Sequence, residues 1–275
     1  MLRQTEPMPD EPDPPPVTYE VADGVATITL ARPGAMNSLT REVKEALLET
    51  VRRAARDEAV RCVVLTGSGR AFCVGQDLKE HVDDLAGKPL EEVWSTVDQH
   101  YNPLVTGLAT MAKPVVAAVN GIAAGAGASL AFACDLRLVA ESAGFNLAFA
   151  GVGLSCDTGS SWTLPRLIGH AKAVELLLQP RTVRAEEALA LGLATRVVAD
   201  DQLAAEARAL AGRLAQGPTL AYAAIRRSLG FSAGHDLADS LEVEREGMHR
   251  TGASQDHRDA AAAFVAKRQP VFRGR

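Results

Sequence analysis

Aromatic side chains are scarce: they form 4% of a 275-residue sequence in which 47% of residues are hydrophobic. Any core must therefore be aliphatic, built from Ala, Val and Leu, and a chain of this length can bury a sizeable one, as one large domain or two small ones. Long apolar runs are missing as well. None approaches the roughly 20 residues that a membrane-spanning helix requires, and the N-terminus carries no signal-peptide pattern. Cysteine is sparse, and Cys62, Cys73, Cys134 and Cys156 form no CxxC pair. The first three sit in apolar segments and read as buried free thiols, which suits a reducing cytoplasm. Six histidines show no HxxxH or HExxH spacing, so no metal is expected. Positive charge is in deficit, at a net −5, which argues against nucleic acid or an anionic membrane as the main partner. A phosphate-bearing ligand would need a local basic cluster against that overall sign.

Residues 1–16 hold six prolines and four acidic residues and little to bury, which predicts a disordered arm. Val17 to Ala31 alternates around Asp23-Gly24, the pattern of a hairpin with a tight turn. Thr40 can cap a helix reaching about Asp57, with Val43, Leu47, Leu48, Val51 and Ala55 at helical spacing. Val60 to Leu65 reads as a buried strand, 70–80 as a polar loop, and 90–111 as one long helix. Asp135 to Ala140 and Thr195 to Ala199 are further strands, with helices over 171–179 and 185–193. After residue 200 only helices are expected, over 201–214, 218–229, 236–251 and 256–268. The alternation up to about 200 predicts an α/β body over 17–200, and 201–275 a helical piece.

The most informative stretch is Asn120-Gly-Ile-Ala-Ala-Gly-Ala-Gly127, between the apolar run Lys113 to Val119 and an apolar helix ending near Asp135. Three glycines crowd the turn, where the backbone must approach something closely. The first N–H groups of a helix have no partner within it and attract negative charge, so the turn suits an anion or oxyanion site; tight packing of helix on strand would use the same residues.

Four further segments join it. Arg70-Ala-Phe-Cys-Val-Gly-Gln-Asp-Leu-Lys79 resembles the AFxxGxDxK signature of the crotonase (enoyl-CoA hydratase/isomerase) superfamily, and Asn120 to Gly127 resembles its NGxAxGGG element. Arg32-Pro-Gly-Ala-Met-Asn-Ser-Leu39 resembles its RPxxxNAL loop, and Leu164–Gly169 and Phe264–Arg268 match as well. The resemblance runs in one register over about residues 17–270. It implies a spiral of ββα turns with a C-terminal α-helical trimerisation region, as a homotrimer or a dimer of trimers. It also implies an acyl-CoA substrate, with coenzyme A as part of that substrate and no permanently bound cofactor. By resemblance the N–H groups of Gln76 and Ala126 are the two oxyanion donors. Gly34, Ala35, Met36, Val74, Gln76 and Asp77 would follow the CoA. Lys79, and Lys267 from a neighbouring subunit, would be either phosphate partners or solvated surface charges.

The departures matter as much. The family's hydratases place glutamates where this sequence has Ser129 and Phe149. Adding water needs one group for the water and another for the proton, so standard hydration is disfavoured. The carboxylate nearby is Asp157. In some isomerases of the family an aspartate here shuttles the proton, and in its aryl-CoA dehalogenases it is the nucleophile. The alternative is a cap on the helix that starts near Ser160. Cys156 as a nucleophile would need a placed histidine. Ser129, Phe149 and Trp162 are expected along the acyl pocket.

Overall fold

The structure, a computed structural model, describes residues 15–275; most of the expected disordered arm lies outside them. Strand β1 (Val17–Ala22) pairs antiparallel with β2 (Val25–Leu30). Between them Asp23 and Gly24 both take positive φ, 51° and 77°, as a tight primed turn requires. Thr40 caps α1 (Arg41–Arg56) by accepting the Val43 N–H at 3.3 Å. Next come β3 (Cys62–Gly67), β4 (Ala71–Cys73), α2 (Leu78–Gly87), α3 (Leu90–Thr96) and α4 (Asn102–Thr110). The second glycine turn brings β5 (Val115–Val119), β6 (Ile122–Ala124) and α5 (Ala126–Phe132), followed by β7 (Leu136–Ala140) and β8 (Gly144–Asn146). The body closes with α6 (Ser160–Ile168), α7 (His170–Leu178), β9 (Thr182–Arg184), α8 (Ala185–Leu191) and β10 (Arg196–Val198). The last helices are α9 (Leu203–Ala215), α10 (Thr219–Ser232), α11 (Leu237–Gly252) and α12 (Gln255–Val265).

The strands form two sheets, one ordered β1-β2-β3-β5-β7-β10 and the other β4-β6-β8-β9. From β2 onward the first sheet is parallel, and β4, β6 and β8 are parallel in the second. The middle turns of the chain, which begin at β3, β5 and β7, thus each lay one strand in the large sheet, one in the small sheet, and then helix. The second sheet corrects the sequence reading, which left its strands as loop or turn. Its strands are three residues long, too short for alternation to show.

The helix expected over 90–111 is also corrected. A π-helical turn over Val97–Tyr101 separates α3 from α4 and turns His100 and Tyr101 inward, where both are buried. Pro103 follows at once; it has no N–H for a continuing i→i−4 bond.

Helix α9 packs across β2, β3, β5 and β7, burying Leu203, Ala207, Ala211 and Ala215. A cut after residue 200 would therefore strip the main sheet as well as remove α10–α12, and insoluble protein is the expected result. Arg226 of α10 holds the last helices to the body: it pairs with Asp135 at 2.8 Å and donates to the Lys113 and Leu108 carbonyls, each at 2.7 Å.

Candidate functional site

Two glycine turns meet because neither leaves room for side chains. A Cβ on Gly121 would strike the Arg70 carbonyl, and one on Gly127 the Cys73 carbonyl. Asn120 stitches the turns, accepting the Gly67 N–H at 3.1 Å and donating to Gly69 O at 2.9 Å. Gly125, at φ 50°, donates its N–H to Asn146 O at 2.9 Å and swings the chain into α5. As the first residue of α5, Ala126 has an N–H with no acceptor inside the helix.

On the facing loop, Leu39 bridges Gln76. It donates to Gly75 O at 2.8 Å and accepts from the Asp77 N–H at 3.1 Å. Those bonds use the residues flanking Gln76, so its own N–H points away from Leu39. Gly75, at φ 85°, brings the loops into contact: a Cβ there would lie 2.9 Å from Ala124 O and 3.3 Å from Ala126 N. Gln76 and Ala126 both line one cavity of about 590 Å³.

Gly34, Ala35, Met36, Val74, Asp77 and Lys79 line the same cavity, as do Phe149 and Asp157. The 32–38 loop is rigid: Met36 and Asn37 take left-handed φ, and the Asn37 amide donates to Ser68 O at 2.9 Å and Ala71 O at 2.8 Å. The Asp77 carboxylate caps α2 through the Lys79 and Glu80 N–H groups and accepts from Ser38 at 2.7 Å and Arg32 at 3.3 Å. Slight burial pushes its pKa up, but the Ser38, backbone and Arg32 bonds outweigh that and hold it below the usual range. Its side chain is thus committed to joining the first loop to α2.

Asp157 sits in the loop before α6. The N-cap of that helix is Gly159, with no capping side chain among the described residues. The Asp157 carboxyl instead accepts from the Thr158 hydroxyl at 2.8 Å. Thr158 is held at φ 50°, a strained conformation for a β-branched residue. Burial pushes the Asp157 carboxyl above its ordinary pKa, against the opposing pull of the Thr158 bond and the Lys44 charge.

Two expected residues stand elsewhere. Ser129 is fully buried in α5, donating to Gly125 O at 3.0 Å with its Oγ 2.5 Å from that of Ser160, and does not line the cavity. Trp162, its ring under the Arg166 guanidinium at 4.2 Å, lines a different cavity between α4, α6, α10 and α11. The turn of α6 carries it to the far side from Asp157. Lys267, exposed just after α12, is not on the cavity wall of its own subunit.

A polar group behind the cavity escaped the sequence reading. Lys44 donates to Gln76 Oε1 at 3.0 Å and to Thr96 Oγ1 at 2.7 Å, and the Tyr101 hydroxyl donates to the same Gln76 oxygen at 2.5 Å. The signal was present: Lys44 falls in the apolar row of α1 with Leu47, Leu48 and Val51, where a solvated lysine has no place. The π turn that supplies Tyr101 had no such mark. His81, edge-on to Trp94 at 5.3 Å between ring centres, also lines the cavity. Among the described residues there is no His/Cys/Asp/Glu cluster that could hold a metal ion. A carbonyl oxygen placed between two N–H donors, with a base nearby, is the arrangement for removing a proton alpha to a carbonyl.

The family model for enoyl-CoA hydratase/isomerase matches residues 20–275. The 1,2-epoxyphenylacetyl-CoA isomerase of Escherichia coli is 42% identical over 259 residues, 94% of this chain and 98% of that protein. The (E)-benzylidenesuccinyl-CoA hydratase of Thauera aromatica is 35% identical over 260 residues, 94% of this chain and 99% of that one. The crystal structure of an enoyl-CoA hydratase from Bacillus anthracis superposes with a TM-score of 0.88 at 32% identity, covering 94% of this chain and all of that chain (100%). Motifs, two-sheet spiral and overall likeness converge: the chain belongs to the enoyl-CoA hydratase/isomerase family and has the crotonase fold.

Proposed function

We propose that this member of the family is an enoyl-CoA isomerase of the Δ3-Δ2 or dienoyl type, with Asp157 as its proton shuttle. One observation carries the reading: Asp157 lines the same cavity as Gln76 and Ala126, the residues with the two N–H donors, while by resemblance to the family Ser129 and Phe149 occupy the positions of the hydratase glutamates. The thioester oxygen would sit between the Gln76 and Ala126 N–H groups. Asp157 would take the alpha proton, the N–H pair would stabilise the resulting dienolate, and Asp157 would return the proton at the gamma carbon. Its raised pKa makes it a stronger base than an exposed aspartate. Coenzyme A enters as part of the substrate, along the backbone of Gly34, Ala35, Met36, Val74 and Asp77. Lys79 and a neighbouring subunit's Lys267 are its phosphate partners, in a homotrimer or a dimer of trimers. The four unpaired thiols suit a cytoplasmic enzyme.

Hydration, hydrolysis or dehalogenation with Asp157 as nucleophile, and binding without turnover are the competing outcomes. A mass-detected screen of acyl-CoA thioesters separates them: isomerisation keeps mass, hydration adds a water, hydrolysis frees CoA, and a decayed protein binds unchanged thioester. Efficient hydration of crotonyl-CoA by the unaltered protein would overturn the isomerase reading.

Ser129→Glu is expected neither to create nor to raise hydration. The new carboxylate would be buried inside α5 against Ser160, away from the cavity, and Phe149 still leaves the second acid missing. A lower melting temperature with no gain of hydrated product is the expected result. Appearance of 3-hydroxyacyl-CoA would show that position 129 does reach the substrate.

A further inference from the structure

Lys44 lies in the buried row of α1 and is 2% exposed, scarcely more than Leu47 beside it. A leucine would serve packing there better, because burying an ammonium costs free energy unless its hydrogen bonds are met. Among the described residues no carboxylate pairs with it within salt-bridge distance. Its bonds go to Gln76 Oε1 and Thr96 Oγ1, and Thr96 in turn meets His100 Nδ1 at 3.0 Å. Gln76, Thr96 and Tyr101 all line the cavity that holds Asp157. Lys44 therefore stands directly behind the wall that carries the Gln76 N–H.

We propose that Lys44 is a positioning residue for this site: with the Tyr101 hydroxyl it pins the Gln76 side chain so that the Gln76 N–H stays presented to the cavity, and its positive charge favours the ionised form of the Asp157 carboxyl. This rests on the roles assigned above to Gln76 and Asp157. The Gln76 oxygen accepts from both Lys44 and Tyr101, which leaves the side chain one orientation and holds the backbone beneath it. The groups facing the ammonium are Glu80 and Asp84 from α2, Arg41 from its own helix, His100 and Tyr101 from the π turn, and Asp157. Glu45, also on α1, lies 3.9 Å from His100. Burial lowers the Lys44 pKa to about 8, so the ammonium persists at neutral pH and below. It opposes the upward push of burial on Asp157. Without it the carboxyl would hold its proton to a higher pH, and the base would be available over a narrower range.

The test is alpha-proton exchange into deuterated water on a saturated acyl-CoA, measured against pH with the full chain, alongside CoA affinity and thermal melts. Lys44→Met is expected to lower the plateau rate by at least about tenfold, part of what a lost oxyanion donor costs. Its acid limb is expected to move to higher pH while CoA affinity holds. Tyr101→Phe should lower the plateau and leave the acid limb in place, since the hydroxyl is neutral. Should Lys44→Met fail to fold, Lys44→Gln carries the test, because it removes the charge but keeps a donor: its acid limb must rise in the same way. A folded Lys44 variant with the parent's plateau and acid limb overturns the proposal. So does a slower variant whose limb has not moved, which marks a purely structural lysine. No exchange by the parent, or full exchange by Asp157→Asn, would instead overturn the function assigned to the site.

Discussion

Asp157→Asn is expected to lower alpha-proton exchange by about 10²–10⁴-fold, the contribution of a positioned general base, with little change in acyl-CoA affinity. The amide keeps the shape and can still accept from Thr158, so the wall of the cavity stays in place. The proposed contacts to CoA lie on the 32–38 and 74–79 loops and are not altered. Stability should move the other way. The folded-state pKa of Asp157 is raised, mainly by burial, so its contribution is most favourable below the unfolded pKa and is lost as pH rises through the folded one. At neutral pH the folded protein bears the cost of a buried carboxylate, which the amide does not carry. Melting temperature should therefore rise in Asp157→Asn at pH 7, and the gain should vanish in acid. Thermal melts across pH together with exchange rates check both halves. Unchanged exchange would remove Asp157 from the chemistry and leave Cys156 or another carboxylate to take the proton.

Gly127→Ala is expected to be the more damaging change to the fold. The added methyl would collide with the Cys73 backbone carbonyl, and backbone cannot rotate aside as a side chain can. Helix α5 would have to back away from β4, pulling Ala126 from the loop that holds Gln76. A shift of that kind costs about 3 kcal/mol, a large share of the roughly 5–15 kcal/mol that stabilises a typical domain. Low soluble yield, an earlier denaturant midpoint and lost exchange are expected together. Gly34→Ala is the control for stability, since nothing lies within 4 Å of a Cβ there and its φ is not positive. A Gly127→Ala protein as stable and active as the parent would show that the two glycine turns do not depend on this contact.

Much of the architecture was written locally. The Asp23-Gly24 turn, the Thr40 cap and the apolar row of α1 each follow from neighbours in sequence, and the structure has all three. The small sheet was not legible, because β4, β6, β8 and β9 gain their order from one another across the spiral rather than from any pattern of their own. The π turn at 97–101 was likewise hidden inside an apolar helical pattern.

At the site, the sequence alone marked the 121–127 turn and the 70–80 loop as sources of free N–H groups, and its resemblance to the family set Ser129 and Phe149 at the positions of the hydratase glutamates. Motif spacing carried that much, since backbone donors need no side chain to be recognised. Which side chains share a cavity was decided only by the tertiary structure. Ser129 and Trp162 are close in sequence to cavity residues, yet one is sealed inside α5 and the other faces α10 and α11. Lys44 and Tyr101 come from elements far from Gln76 along the chain and meet on a single oxygen. The direction in which a buried side chain points depends on the packing of helix against sheet, and no local spacing encodes it.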